Sequence, residues 1–169
     1  MRILFMDVDG PLIPLRMHWQ VGSVFKYAEV GGYYIWDPNV IKYFNDYCPK
    51  LDIKIVFNSS HNTSGADVLR MTARSNGLDP SILHDDVCTK YPDIDNRVEA
   101  IYDWLKRNVP KGQSCKWMVV DDFDLPVGQH LMNVTLESGL DDKKLETIFG
   151  KFLLTDRAPK LSDILWRNE

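Results

Sequence analysis

Three short, predominantly apolar runs punctuate the chain, at 3–6, 53–57 (where Lys54 is the one polar residue) and 117–120, and each gives way at once to polar residues. Runs of this length, rich in β-branched and aromatic side chains and without alternation, predict strands buried on both faces of a parallel sheet. Residues 131–136 form a fourth strand candidate. Between them the apolar period changes to that of a helix. Val40, Ile41, Phe44 and Tyr47 mark a helix over 39–47, and Val68, Leu69 and Met71 mark one over 66–75, with Gly77 as its stop. Val98, Ile101, Trp104 and Leu105 mark a helix over 96–108, with Asp95 or Asn96 as N-cap and Pro110 closing it. Leu145, Ile148 and Phe149 mark one over 141–149, with Gly150 as its stop. Strands alternating with helices imply a parallel α/β sheet with right-handed crossovers.

The segment 15–36 breaks this rhythm. Trp19, Phe25, Tyr27, Tyr33, Tyr34 and Trp36 crowd it, and Gly31-Gly32 is a turn signal. It reads as a β-hairpin flap inserted after the first strand. The flap's aromatics either pack the hairpin onto the core or stack on a base. Leu161, Ile164, Leu165 and Trp166 suggest a short terminal helix over 161–169.

The chain has 169 residues, which fits one domain. Apolar residues make up 44% and charged residues 26%, so pervasive disorder, collagen and coiled coil are excluded. Twenty basic against 24 acidic side chains give a net charge of −4, unlike a protein that coats nucleic acid through many phosphate contacts. Asp7 and Asp9 interrupt the apolar N-terminus before a signal-peptide core can form, and no stretch is long enough to span a bilayer. Cys48, Cys88 and Cys115 are odd in number and contain no CxxC pair, which suits buried thiols in a reducing, cytoplasmic setting. His18, His61, His84 and His130 show no metal-ligand spacing.

Sites of open parallel sheets lie at the carboxyl ends of the strands. Asp7-Val8-Asp9-Gly10 follows the first strand, Asn58-Ser59-Ser60-His61 the second, and Asp121-Asp122-Phe123-Asp124 the third. Clustered carboxylates repel one another and raise each other's pKa. Mg²⁺ relieves this, because it takes hard oxygen ligands and keeps positions open for phosphate oxygens. If the chain curls at Gly10, Asp7 and Asp9 face one cavity; one can attack phosphorus and the other can protonate the leaving oxygen.

These three motifs, in this order, resemble those of the haloacid dehalogenase (HAD) superfamily of phosphohydrolases. Residues 3–12 resemble its first motif, 55–60 its second, a strand ending in Ser or Thr, and 118–122 its double-aspartate fourth. The helix beginning Asn96-Arg97-Val98-Glu99 and the stretch Glu137-Ser138-Gly139-Leu140 further resemble small HAD domains of RNA-repair proteins and of bacterial and phage proteins. The resemblance implies an α/β, HAD-like Rossmannoid three-layer sandwich with a central parallel sheet, over 1–169 as one domain. Its only insertion would be the small flap at 15–36, with no large cap.

The resemblance also implies roles. Asp7 would be the nucleophile, forming an aspartyl-phosphate, and Asp9 the general acid and then base. Ser59, or Ser60 after a one-residue slip, would bind the phosphoryl group. Asp121 and Asp122 would hold Mg²⁺ with Asp7 and the backbone carbonyl of Asp9. The third-motif cation would be Arg97 or, in the preceding loop, Lys90. The implied activity is a Mg²⁺-dependent phosphatase. Its substrate would be a nucleotide, a nucleic-acid end or a small phosphomonoester, reached through an open site. A catalytically silent HAD-like domain is opposed by the presence of both Asp7 and Asp9. A phosphoacceptor module is opposed by the motif order.

Overall fold

The computed structural model describes residues 1–15, 35–90 and 94–154. Five strands form one sheet: β1 (Arg2–Met6), β2 (Ile53–Phe57), β3 (Leu83–Cys88), β4 (Lys116–Asp121) and β5 (Leu131–Asn133). Their order is β3-β2-β1-β4-β5, and every pair is parallel. Four α-helices accompany them among the described residues: α1 (Pro38–Leu51), α2 (Ala66–Ser75), α3 (Arg97–Asn108) and α4 (Asp142–Leu154). This is the expected α/β architecture with a central parallel sheet.

The sheet separates two cores, and strand alternation decides which side chain enters which. Leu4, Met6, Ile55, Phe57, Met118 and Val120 pack with Val40 and Phe44 of α1, Leu69 of α2, and Leu145 and Ile148 of α4. Ile3, Phe5, Val56, Trp117 and Val119 pack with Ile101, Trp104 and Leu105 of α3. Phe5 meets Trp104 edge-on, with ring centroids 5.3 Å apart. The next residue of like parity beyond Phe5 is Asp7, beyond Val56 it is Asn58, and beyond Val119 it is Asp121. The alternation therefore carries all three polar positions to the face that α3 covers.

Several elements differ from expectation. β3, Leu-His-Asp-Asp-Val-Cys, is a strand that periodicity does not announce; it lies at the sheet edge, where its polar residues reach solvent. β5 ends at Asn133, well short of 136. Helix α4 runs through Gly150 to Leu154, because the next turn buries Phe152. In α2 the buried residues are Leu69 and Ala73, whereas Val68 and Met71 are exposed. Tyr47 of α1 is also exposed, stacked on Phe149. Helix α1 starts as its sequence dictates: Asp37 caps it by accepting from Asn39 N at 2.9 Å, with Pro38 in the first turn.

Of the flap expected over 15–36, all but the residues at its two ends lies outside the described residues, as does the helix expected over 161–169. Trp36, at the flap's end, is buried in the core against Phe57.

Candidate active site

The site forms where β1, β2 and β4 end side by side. Asp7 continues β1 by one residue, its N–H donating to Val120 O at 2.9 Å. One oxygen of its carboxylate accepts from Val8 N at 2.8 Å, and the other from Arg97 Nη1 at 2.8 Å. The same Nη1 donates to Asp121 Oδ2 at 2.7 Å. Asp121 accepts a further bond from Phe123 N at 2.9 Å through Oδ1. Asp7, Asp121 and Arg97 are 1%, 0% and 5% exposed, so this is a buried carboxylate–guanidinium–carboxylate set. A buried charge must be paired, and here one cation serves two anions. Burial alone would lower the Arg97 pKa, but Asp7 and Asp121 outweigh it and hold the guanidinium above its ordinary value.

One cation leaves the site negative. Asp7, Asp121 and Asp122 offer oxygens that all lie within 4.8 Å of one another. Burial, reinforced by Asp7, pushes the Asp121 pKa up to about 7 and that of Asp122 up to about 6. Asp122 Oδ1 is buried without a hydrogen-bond partner among the described residues. A hard divalent cation fits this set, since it would both fill the orphaned oxygen's need and favour the ionised carboxylates.

Gly10 lets the Asp7–Asp9 loop lie against Asp122. Its φ is +79°, and a Cβ there would stand 2.9 Å from Asp122 Cβ. The turn carries the Asp9 side chain away from the carboxylate cluster, to the rim. There Asp9 Oδ2 lies 3.2 Å from His61 Nε2, and this hydrogen bond raises the His61 pKa against the opposing effect of burial.

Ser59 is buried two residues beyond the end of β2, where its Oγ accepts from His61 N at 3.4 Å and caps the short 3₁₀ turn Ser60–Ser64. Ser60 is exposed. Arg97 opens α3 over the carboxylates, whereas Lys90 is exposed in the loop before it. The fold thus brings Asp7, Arg97, Asp121 and Asp122 together, with Ser59 on the neighbouring strand end and Asp9 at the mouth.

Sequence reading does not pick out His61, because a lone histidine two residues beyond Ser59 has no spacing signature. Nor does it pick out Phe123, which is 44% exposed and has the Arg97 guanidinium 5.2 Å over its ring. The loop holding Gly139 completes the support. Lys144 Nζ donates to Gly139 O at 3.0 Å, and Leu15 N donates to Leu136 O at 2.8 Å, tying that loop to the chain following Gly10.

An all-parallel sheet with paired aspartates after its first and fourth strands, bridged by a basic residue opening the intervening helix, defines a HAD-type domain. Residues 3–145 match the family described as the HAD domain in Swiss Army Knife RNA repair proteins, and the chain belongs to that family. No curated protein and no solved structure matches it. No helix among the described residues is long and apolar enough to cross a membrane.

Proposed function

We propose that the chain is a Mg²⁺-dependent phosphomonoesterase that works through an aspartyl-phosphate on Asp7. The observation that carries this reading is the position of the Asp7 carboxylate. It is buried against the Arg97 guanidinium, with the Asp121 and Asp122 carboxylates close enough to share a cation with it.

The ends of β1 and β4 fix Asp7, so little reorganisation is needed for attack. A carboxylate oxygen of Asp7 forms a bond to phosphorus as the bond from phosphorus to the leaving oxygen breaks. Asp9, half-exposed at the rim, gives its proton to that oxygen. Asp9 then takes a proton from water as the water attacks phosphorus, which releases inorganic phosphate and restores Asp7. Arg97 neutralises charge on the phosphoryl oxygens throughout, and Ser59 donates its hydroxyl to them. Asp7, Asp121, Asp122 and the backbone carbonyl of Asp9 would hold Mg²⁺, which when bound supplies further neutralisation of those oxygens.

The family's link to RNA repair, and a described rim that carries the exposed ring of Phe123, favour a phosphate at a nucleic-acid end as substrate. Phosphate release is to be followed from p-nitrophenyl phosphate and from oligonucleotides phosphorylated at the 3′ or 5′ end, with and without Mg²⁺. The expected result is Mg²⁺-dependent turnover that Asp7→Asn abolishes. Equal release by wild type and Asp7→Asn overturns the assignment.

A further inference from the structure

Asn58 is completely buried, yet its Nδ2 has no hydrogen-bond partner among the described residues. Native structures rarely leave such a donor unmade. Its neighbours fix the orientation of the carboxamide. Asn62 Nδ2 donates to two backbone carbonyls, Phe57 O at 3.0 Å and Thr89 O at 3.1 Å, so the Asn62 amide can be placed only one way. The same nitrogen lies 3.1 Å from Thr89 Oγ1, which can only share one of the nitrogen's two hydrogens with Thr89 O. The Thr89 hydroxyl keeps its own hydrogen for Asn58 Oδ1, 2.7 Å away. Asn58 therefore turns its oxygen toward the Thr89 side of the sheet and keeps its two N–H donors for the other side.

The other side is β1. Met6 pairs with Phe57, so Asn58 follows β2 as Asp7 follows β1, and Asn58 N donates to Met6 O at 2.9 Å. Asp7, Asn58 and Asp121 share the α3 face of the sheet by alternation. On the phosphomonoesterase reading, on which this inference rests, a phosphoryl group joined to Asp7 brings acceptor oxygens to that face.

We propose that Asn58 Nδ2 donates to the phosphoryl group during transfer, beside Ser59, and that Thr89 positions it by holding Oδ1. The orphaned donor is then a binding element that is filled only when phosphate is present. Thr89 and Asn62 already fix the amide, so its orientation does not have to be set when phosphate arrives.

The test compares wild type with Asn58→Ala, Asn58→Asp, Thr89→Val and Thr89→Ser. It measures kcat and KM on p-nitrophenyl phosphate with Mg²⁺, inorganic phosphate binding by calorimetry, and thermal unfolding. Removing one such donor is expected to lower kcat roughly 10²-fold, with KM changed much less. Asn58→Asp keeps the shape and the Thr89 bond but turns the donor into an acceptor, so it is expected to lose at least as much. Thr89→Val should lose part of the activity and Thr89→Ser should regain it. If Asn58→Ala unfolds, Asn58→Asp decides. A folded Asn58 variant whose kcat and phosphate affinity both equal those of wild type overturns the proposal. If wild type binds phosphate without hydrolysing the ester, the phosphatase reading fails, and weaker phosphate binding by the uncharged Asn58→Ala than by wild type still supports the Asn58 contact. A wild type that neither hydrolyses nor binds phosphate overturns both.

Discussion

The backbone of Gly139 lies so close to Gly10 that a Cβ on Gly139 would stand 2.7 Å from the Gly10 carbonyl oxygen. Gly139 also has a φ of +59°, in the left-handed region. The loop after β5 thereby buttresses the turn that separates Asp7 from Asp9. Gly139→Ala meets both obstacles: the left-handed backbone alone costs roughly 1–2 kcal/mol, and contact with a carbonyl offers no flexible side chain that can yield. The expected outcome is a melting temperature lower by about 5 °C, read by circular dichroism. Activity should also fall in the fraction that remains folded, because the turn beside Asp122 is displaced.

Arg97 makes both of its ion pairs through Nη1 alone. A single ammonium can in principle replace a single nitrogen, so Arg97→Lys is expected to fold and to keep activity within about tenfold, a change of some 1.4 kcal/mol in the barrier. Arg97→Met leaves Asp7 and Asp121 facing each other in the interior without a cation. Breaking a buried pair this way costs about 3–5 kcal/mol, and chemical denaturation should show it. Lys90→Ala, at an exposed position, is expected to match wild type in both assays.

The Asp121 and Asp122 pKa values, about 7 and about 6, imply a specific pH response of metal-free protein. Both groups bind protons more tightly when folded than when unfolded. Stability in EDTA should therefore fall as pH rises from about 4, near the ordinary carboxylate pKa of the unfolded chain, to about 7, where the folded carboxylates must ionise. Mg²⁺ favours the ionised forms, so the increase in melting temperature it produces should be larger near pH 8 than near pH 5. Asp122→Asn in EDTA should be more stable than wild type above about pH 6 and should lose most of the response to Mg²⁺. Differential scanning fluorimetry across this range checks each point.

His61 moves stability in the same direction with pH, but by gaining an ion pair rather than by burying a carboxylate. Its pKa is raised by Asp9 above the ordinary 6.5, so the pair adds stability below that value and loses it as pH rises through the folded pKa. Because Asp9 is half-exposed, the contribution is at most about 1 kcal/mol. His61→Ala should lower stability slightly at acid pH and leave it unchanged at alkaline pH, as measured by urea unfolding.

The three central strands are legible because a strand buried on both faces has to be mostly apolar, and few other elements produce so short a run; Lys54 of β2 and Lys116 of β4 lie near the strand starts and are only half-buried. β3 is not, since an edge strand tolerates Asp85 and Asp86 within it. The helix stop expected at Gly150 fails on magnitudes: glycine costs a helix interior about 1 kcal/mol, less than burying Phe152 returns. The carboxylate positions are visible because they follow the strands directly. The Asn58–Thr89–Asn62 network and the His61–Asp9 contact are not, because each joins segments distant in sequence through side chains that are common in turns.

β1 has a hydrogen-bonded neighbour on each side, β2 and β4, and the Asp7 N–H continues that ladder to Val120 O. Hydrogen exchange at the Asp7 amide therefore requires opening of the middle of the sheet, the last region to come apart. The carboxylate proposed to attack phosphorus is thus mounted on backbone expected to exchange slowly, while Asp9 and Phe123 stand on the rim. Heat inactivation should track global unfolding closely. Changes that alter which phosphate the site accepts can accumulate around the rim while the reacting centre keeps its shape.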